Sequence, residues 1–477
     1  MPGTPSVVEL LERLAGRDAL IESLSVELGA ARVRIAELEA RLGQTSKNSS
    51  KPPSSDGLAK PAPKSLRQRG ARKPSGQAGH PGSTLAPVAV PDEVIEHEPG
   101  CCGGCGEGLG GAVEVGRERR QVFDIPPISV RVIEHQLVKR RCACGTATSA
   151  AAPEGVTAAV RYGPRITAII VYLYVGQFLS KKRTAAALAE LFGTPVSEGT
   201  VATMTTRAAR GLGGFVEWVR ANLAAAEVVN FDETGLRVEG RLRWVHSAST
   251  GLYSLITVHD RRGTKGMDAA GVLSDFAGVA VHDAWAPYDT YPALTHSLCN
   301  AHVPRELQAV TDATPPGQWC WARQTADALC EMNQLVKDAL AASGNHDDLE
   351  GIDPAALTAV IHRYHSAALL GVEATHTRTN KLMAKHHALA RRLIDRQDDY
   401  LRFTTDPRVP FDNNAAEREI RMIKLRQKVS GCLRTLTGAQ QFRAIRSYLA
   451  TAAKHGTHFF AALTTLTEGR PCLPTIT

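Results

Sequence analysis

The sequence has no long apolar run. Its longest, Ile166 to Val175, falls well short of the ~20 residues that a membrane span needs. No charged segment followed by an apolar stretch opens the chain, so nothing reads as a secretory leader. A membrane-embedded protein is excluded, and a soluble, cytoplasmic one is expected. A disulfide framework is missing too. Of the ten cysteines in 477 residues, Cys101, Cys102, Cys105, Cys142 and Cys144 crowd into two groups, while Cys299, Cys320, Cys330, Cys432 and Cys472 are scattered, a distribution that favours a metal site. Nor is there a large surplus of one charge. Against 48 Asp and Glu stand 56 Lys and Arg, a formal +8, which implies an anionic partner only if the excess is concentrated somewhere. The length and a 43% hydrophobic content exclude a peptide, a single small module and a wholly disordered chain; about two to four domains are expected.

The first segment is a heptad pattern. Val7, Leu14, Ile21, Leu28, Ile35 and Leu42 fill one position and Leu10, Leu24, Ala31 and Leu38 the other, with Arg17 the one polar intruder. Such spacing predicts a helix about 54 Å long that pairs as a coiled coil. A Ser, Pro and Gly tract follows, in which Lys51, Lys60, Lys64, Arg67, Arg69, Arg72 and Lys73 face only Asp56. It has too little apolar content for a core and reads as a basic, disordered linker suited to phosphate.

Cys102 and Cys105 form one close pair and Cys142 and Cys144 another, each beside glycine. Four thiolates from two such turns suit a tetrahedral Zn²⁺, and the alternation from Val122 to Lys139 predicts two or three ribbon strands between them; Cys101 is an alternative to Cys102. Further on, a helix ending at Phe192, a break at Gly193-Thr194-Pro195 and a second helix capped by Ser197 suggest a helix-turn-helix. Thr200, Thr203, Thr205, Thr206 and Arg207 are its outward candidates for reading DNA.

Two apolar stretches, Val228 to Asp232 and Val279 to Asp283, each end in an aspartate. If the two strands lie side by side and parallel, both carboxylates emerge at one sheet edge. Such a pair repels itself unless a cation intervenes, and hard oxygen ligands suit Mg²⁺ or Mn²⁺. A third carboxylate completes a site for phosphoryl transfer. Glu417 offers it, with Arg421, Lys424 and Lys428 following on the same helical face. Between Glu417 and Arg446 the chain carries eight cations, Arg418 and Arg426 among them, against two carboxylates. Glu306 is the main competitor for third ligand. Glu233 on its strand, and Glu419 about 200° round the helix from Glu417, point elsewhere.

Taken in order, the heptad segment, the Ser49-Ser50-Lys51-Pro52-Pro53-Ser54-Ser55-Asp56-Gly57 linker, the paired cysteines, Asp232-Glu233-Thr234, His282-Asp283 with Tyr288, Cys299 and His302 with Arg305, and Asp412-Asn413-Asn414 before Glu417 resemble the IS66 family of insertion-sequence transposases. The resemblance implies an RNase H-like core with an Asp232, Asp283, Glu417 triad holding Mg²⁺ or Mn²⁺, interrupted by a helical insertion, and a supporting role for Cys299, His302 and Arg305. It further implies cleavage at transposon-end DNA and transfer into target DNA by a homo-oligomer, with accessory transposition proteins as further candidate partners. A nuclease without joining activity, or a DNA-binding regulator with an inactive core, are the competing readings. The expected plan is a multidomain α+β chain: a coiled-coil helix (1–43), a basic linker (44–91), a zinc ribbon (92–153), a helix-turn-helix domain (154–224), a first core segment (225–304), a helical insertion (305–405), a final core helix (406–450) and a tail (451–477).

Overall fold

A computed structural model describes residues 6–42, 85–315, 317–343, 349, 351–378 and 380–474. The cations of the basic linker lie outside them. Helix α1 (Val7–Leu42) is continuous. It starts at a reciprocal capping box, in which the Glu9 carboxylate accepts from the Ser6 N–H (3.0 Å) and the Ser6 hydroxyl accepts from the Glu9 N–H (3.3 Å). Val7, Leu14, Ile21, Leu24, Leu28, Ile35, Leu38 and Leu42 are all exposed along it.

The cysteine-rich region contains less strand than its alternation predicts. One hairpin forms, β1 (Lys139–Arg141) with β2 (Ala147–Ser149), and the segment from Val122 to Val138 holds no strand. Val122, Ile125, Val130 and Val132 are exposed there. Period-two hydrophobicity makes a stable strand only where a ladder partner and a covered face are both present, and here neither is.

Residues 164–298 fold into helices α2 (Pro164–Val171), α3 (Lys181–Phe192), α4 (Glu198–Arg210) and α5 (Gly213–Ala224), followed by strands β3 (Val228–Val238), β4 (Arg241–Ser249) and β5 (Ser254–His259), the short helix α6 (Thr264–Ala270), and strands β6 (Val279–His282) and β7 (Thr295–Leu298). Gly271 at φ 69° stops α6. The sheet has the order β5-β4-β3-β6-β7. β3 pairs antiparallel with β4 and parallel with β6.

Helices α7 (Val303–Asp312), α8 (Trp321–Ser343), α9 (Pro354–Ala374), α10 (Lys381–Asp395) and α11 (Gln397–Leu401) form the expected helical insertion, and α12 (Asn414–Ser430), α13 (Leu436–Lys454) and α14 (Phe459–Thr467) complete the chain. Two cores sandwich the sheet. One joins Val229, Phe231 and Ala280 to α2–α5, α13 and α14, so the helices of the expected 154–224 domain share a core with the sheet. Within 451–477, Ala462, Leu463 and Leu466 of α14 are buried in this core as well. The second core joins Val281 and Leu298 to the insertion, with Val228 and Val279 packed against it.

The edge of β5 is closed by side chains of α13. The Ser254 N–H donates to the Thr451 hydroxyl (3.1 Å) and the Ile256 N–H to that of Ser447 (2.9 Å). Lys454 Nζ then caps the β4–β5 turn through the Ser249 hydroxyl and the Thr250 and Tyr253 carbonyls.

Within the insertion, α9 approaches α8 at Gly371, where an added Cβ would lie 2.5 Å from the ring of buried Trp321. Gly371→Ala is expected to destabilise the insertion by about 1–3 kcal/mol through overpacking, seen as a lowered denaturation midpoint against the wild type.

Candidate active site

Asp232 lies within β3, and Asp283 directly follows its parallel neighbour β6. The β3–β6 register runs Val228 with Val279 and Asn230 with Val281, and each aspartate lies two residues beyond the latter pair. Because strand side chains alternate, Asp232 shares the face of Val228, which packs against the core of the insertion together with Val279 and Val281 of β6. The parallel pairing expected of these strands is therefore present.

Electrostatics mark the pair as frustrated. Burial drives the Asp232 carboxyl well above its usual range, and the charges of Glu233, Asp283 and Glu417 push the same way, while the Glu233 N–H opposes them through a 2.8 Å bond. Asp283 is raised as well, by burial first, with Arg262 and His302 counteracting and Glu417 adding to the rise. Its Oδ1 is buried without a hydrogen-bond partner. Neighbouring carboxylates that repel, one of them with an orphaned oxygen, have the chemistry of a divalent-cation site.

Glu233 does point away from Asp232, but into a network that sequence reasoning missed. Its carboxylate accepts from Arg262 (2.6 Å) and from the Tyr288 hydroxyl (3.0 Å). Burial nonetheless raises it to about 7, because the repulsion of Asp283 adds to desolvation and the two donors only partly offset them. Arg262 lies over the Trp285 ring at 3.9 Å. His282 stacks on Tyr288 and bonds through Nε2 to His296 (3.0 Å). The Asp232-Glu233-Thr234 and His282-Asp283 motifs with Tyr288 were signals for this cluster, but nothing in the sequence pointed to Arg262.

Glu417 reaches the site through the start of α12. Asn413, directly before the helix, is buried; its amide donates to the Phe231 carbonyl (2.6 Å) and accepts from Asn230 (2.9 Å), while its N–H donates to Cys299 Sγ (3.2 Å). Helix α12 is thereby tied to β3 and to the turn after β7. His302 Nε2 lies 3.7 Å from Glu417 Oε1, and Arg421 donates to the other oxygen at 2.8 Å. Among the described residues, Cys299, His302 and Glu417 form a trio with ligand atoms all within 4.8 Å of one another; the three acidic residues do not converge that closely. Burial pushes the Cys299 thiol up to about 12. Arg305, in the first turn of α7, is half-buried. Glu306 pairs with Arg392 of α10, and Glu419 is buried beneath Ser254, whose hydroxyl donates to it at 3.1 Å. Neither rival carboxylate faces the aspartates.

The cationic candidates separate. Arg418, Arg421 and Lys428 are exposed, and Lys424 is half-buried with Nζ donating to the Gly235 carbonyl (2.7 Å). Arg426 is buried, donating to the Gly431 carbonyl and lying over Phe442, so it is a core residue and not part of a DNA-facing ladder. On α4, Thr203 and Arg207 are exposed and Thr200 is half-buried beside Ser197. Thr205 faces the core, bonding back to the Val201 carbonyl, because position 205 shares the helix face of Val201 and Ala208.

A model described as the transposase IS66 family matches residues 159–441, more than half of the chain and all of the site just described. The chain belongs to the IS66 transposase family. A model for the zinc-finger binding domain of transposase IS66 matches residues 99–145 of this transposase, spanning all five clustered cysteines, and one for a family of unknown function matches residues 4–86. No curated protein matches it. The cysteines suit structural zinc: Cys102 and Cys142 each open a tight turn, with Gly106 N–H donating to the Cys102 carbonyl and Gly145 N–H to that of Cys142 (2.9 Å each), and both glycines have positive φ. Hydrogen bonds from backbone N–H groups and from Cys105 lower Cys102, and those from Thr146 and Cys142 bring Cys144 to about 7, favouring the thiolate that binds metal. Among the described residues no three of these thiols lie within 4.8 Å of one another.

Two outcomes follow for this transposase. Asn413→Ala leaves the Asn230 amide and the Phe231 carbonyl unpaired, an expected loss of about 1–3 kcal/mol in chemical denaturation. Replacing Cys102 and Cys142 together by Ser should remove about one zinc equivalent by elemental analysis of the full chain; full retention would refute the zinc assignment.

Proposed function

We propose that this transposase is a DDE enzyme that cleaves DNA at transposon ends and joins them to target DNA, with Asp232, Asp283 and Glu417 as the catalytic carboxylates. The observation that supports this reading is the parallel β3–β6 register, with Asp232 and Asp283 each two residues past the paired Asn230 and Val281 and Glu417 close enough to raise the proton affinity of both. A sheet of three antiparallel strands extended by two parallel ones supports an RNase H-like core.

The three carboxylates would hold Mg²⁺ or Mn²⁺, which when bound activates an attacking oxygen and stabilises a leaving one. Water attacks the phosphorus at the transposon end; the P–O3′ bond breaks and frees a 3′ hydroxyl. That hydroxyl attacks a target phosphate in line, and the target's own P–O3′ bond breaks. No covalent bond to the protein is needed. Arg418, Arg421, Lys424 and Lys428 neutralise phosphate charge beside the site, and Glu233 with Arg262 and Tyr288 steadies the loop after Asp283. Thr203 and Arg207 on α4, with Thr200, serve as the helix-turn-helix reading face, joined by the zinc finger and the basic linker. Exposed apolar residues along α1 supply a coiled-coil seam that holds two copies on paired ends.

A strand-transfer assay with terminal-repeat DNA and Mg²⁺ tests this. Asp232→Asn is expected to lower cleavage and joining by on the order of 10³-fold or more with DNA binding intact. Unchanged cleavage by that variant refutes the assignment, and wild-type cleavage without joining assigns a nuclease.

A further inference from the structure

His296, three residues before Cys299, is paired with His282 and is not available to Cys299 and His302. In its place the fold delivers Glu417, from a helix that begins more than a hundred residues later. The three groups arrive from separate elements: Cys299 follows β7, with its N–H donating to the His282 carbonyl (2.8 Å), His302 opens α7, and Glu417 lies in the first turn of α12.

From this convergence we infer a second metal site, at Cys299 Sγ, His302 Nε2 and Glu417 Oε1, selective for a borderline-soft divalent cation of the Zn²⁺ class. Two observations carry it. All three ligand atoms lie within 4.8 Å of one another. The 3.7 Å between His302 Nε2 and Glu417 Oε1 is too long for a hydrogen bond and close to the ~3.3 Å that separates two ligands on one tetrahedral Zn²⁺ with bonds of ~2.0–2.1 Å. The Asn413 N–H pointing at Cys299 Sγ is the kind of donor that steadies a bound thiolate. Burial keeps the thiol protonated in the absence of a cation, and a coordinating ion removes that proton itself.

Donor chemistry separates this site from the aspartate pair. Mg²⁺ takes oxygen ligands, whereas a thiolate and an imidazole select zinc-like ions. Glu417 belongs to both sets, so occupancy of the softer site withdraws it from the aspartates. Zinc-class ions are therefore inhibitors of Mg²⁺-dependent cleavage, released by chelation. This inhibitory consequence rests on the proposed role of Glu417 in catalysis; the binding site does not.

The test uses the full-length protein with Mg²⁺ in excess, so that the aspartates are occupied, and Co²⁺ as the probe, whose thiolate charge-transfer absorbance reports cysteine ligation. Wild type is expected to take up two equivalents. Cys299→Ser and His302→Ala should each weaken one of them at least about tenfold and leave the other unchanged, while the Cys102→Ser, Cys142→Ser protein shows the opposite pattern. A single equivalent in the wild type, or two equivalents of unchanged affinity in both Cys299→Ser and His302→Ala, overturns the site. Zn²⁺ inhibition of cleavage, compared within each protein with its own zinc-free rate, should need at least about tenfold more Zn²⁺ in Cys299→Ser. If the second equivalent binds and cleavage is not inhibited, the site stands and the shared use of Glu417 in catalysis is refuted.

Discussion

The buried amide of Asn413 is the interaction on which the geometry of the site depends. It satisfies the Phe231 carbonyl and the Asn230 side chain on β3, while its own backbone N–H satisfies Cys299. A buried polar group left unpaired costs about as much as a core truncation, so few other placements of α12 keep all of these groups bonded. The chain leaves the sheet after β7, builds a whole helical insertion and returns, and this one residue fixes where it lands. Glu417 therefore stands beside the aspartates because a neutral amide four residues earlier is held by hydrogen bonds, not because the carboxylates attract one another. Their charges do the opposite.

That opposition explains the surroundings. A cluster of like charges in a half-buried setting is tolerable when the scaffold around it is stiff. Stiffness comes from β3, whose register with β4 runs from Asn230 to Val238, from the Arg262 and Tyr288 contacts to Glu233, and from two separate cores gripping opposite faces of the sheet. Val281 packs on the insertion and its neighbour Ala280 on the other helices. The strand that carries Asp283 is thus clamped from both sides within two consecutive residues.

Much of this was legible in the residues, for identifiable reasons. The two apolar runs that lead into aspartates were visible because short Val-rich runs mark buried strands, but β3 continues past Asp232 to Val238 and does not end there as its sequence suggested. The insertion showed through its helical periodicity, and α4 through its Ser197 cap. What escaped was decided by partners far away in sequence. The alternation from Val122 to Lys139 carries a strand period with no strand beside it. Arg426 sits in a cation-rich helix whose individual faces depend on where Phe442 packs. Glu233 looked like a bystander because neither Arg262 nor Tyr288 is near it in the chain. The core shared across the boundary drawn near residue 224 escaped for a similar reason: α2–α5 are contiguous in sequence but bury their apolar faces against α13 and α14, which come last.

The covered edge of β5 has a consequence of its own. An uncovered outer strand offers a row of amide donors to any similar strand nearby, and a protein gathered in several copies on one stretch of nucleic acid meets its own kind at high local concentration. Here Ser447 and Thr451 occupy those donors from within the same chain, and on the opposite side Arg402 takes up the His296 carbonyl of β7. Both flanks of the sheet are thus occupied by the molecule's own side chains, and crowding does not template strand-to-strand fusion.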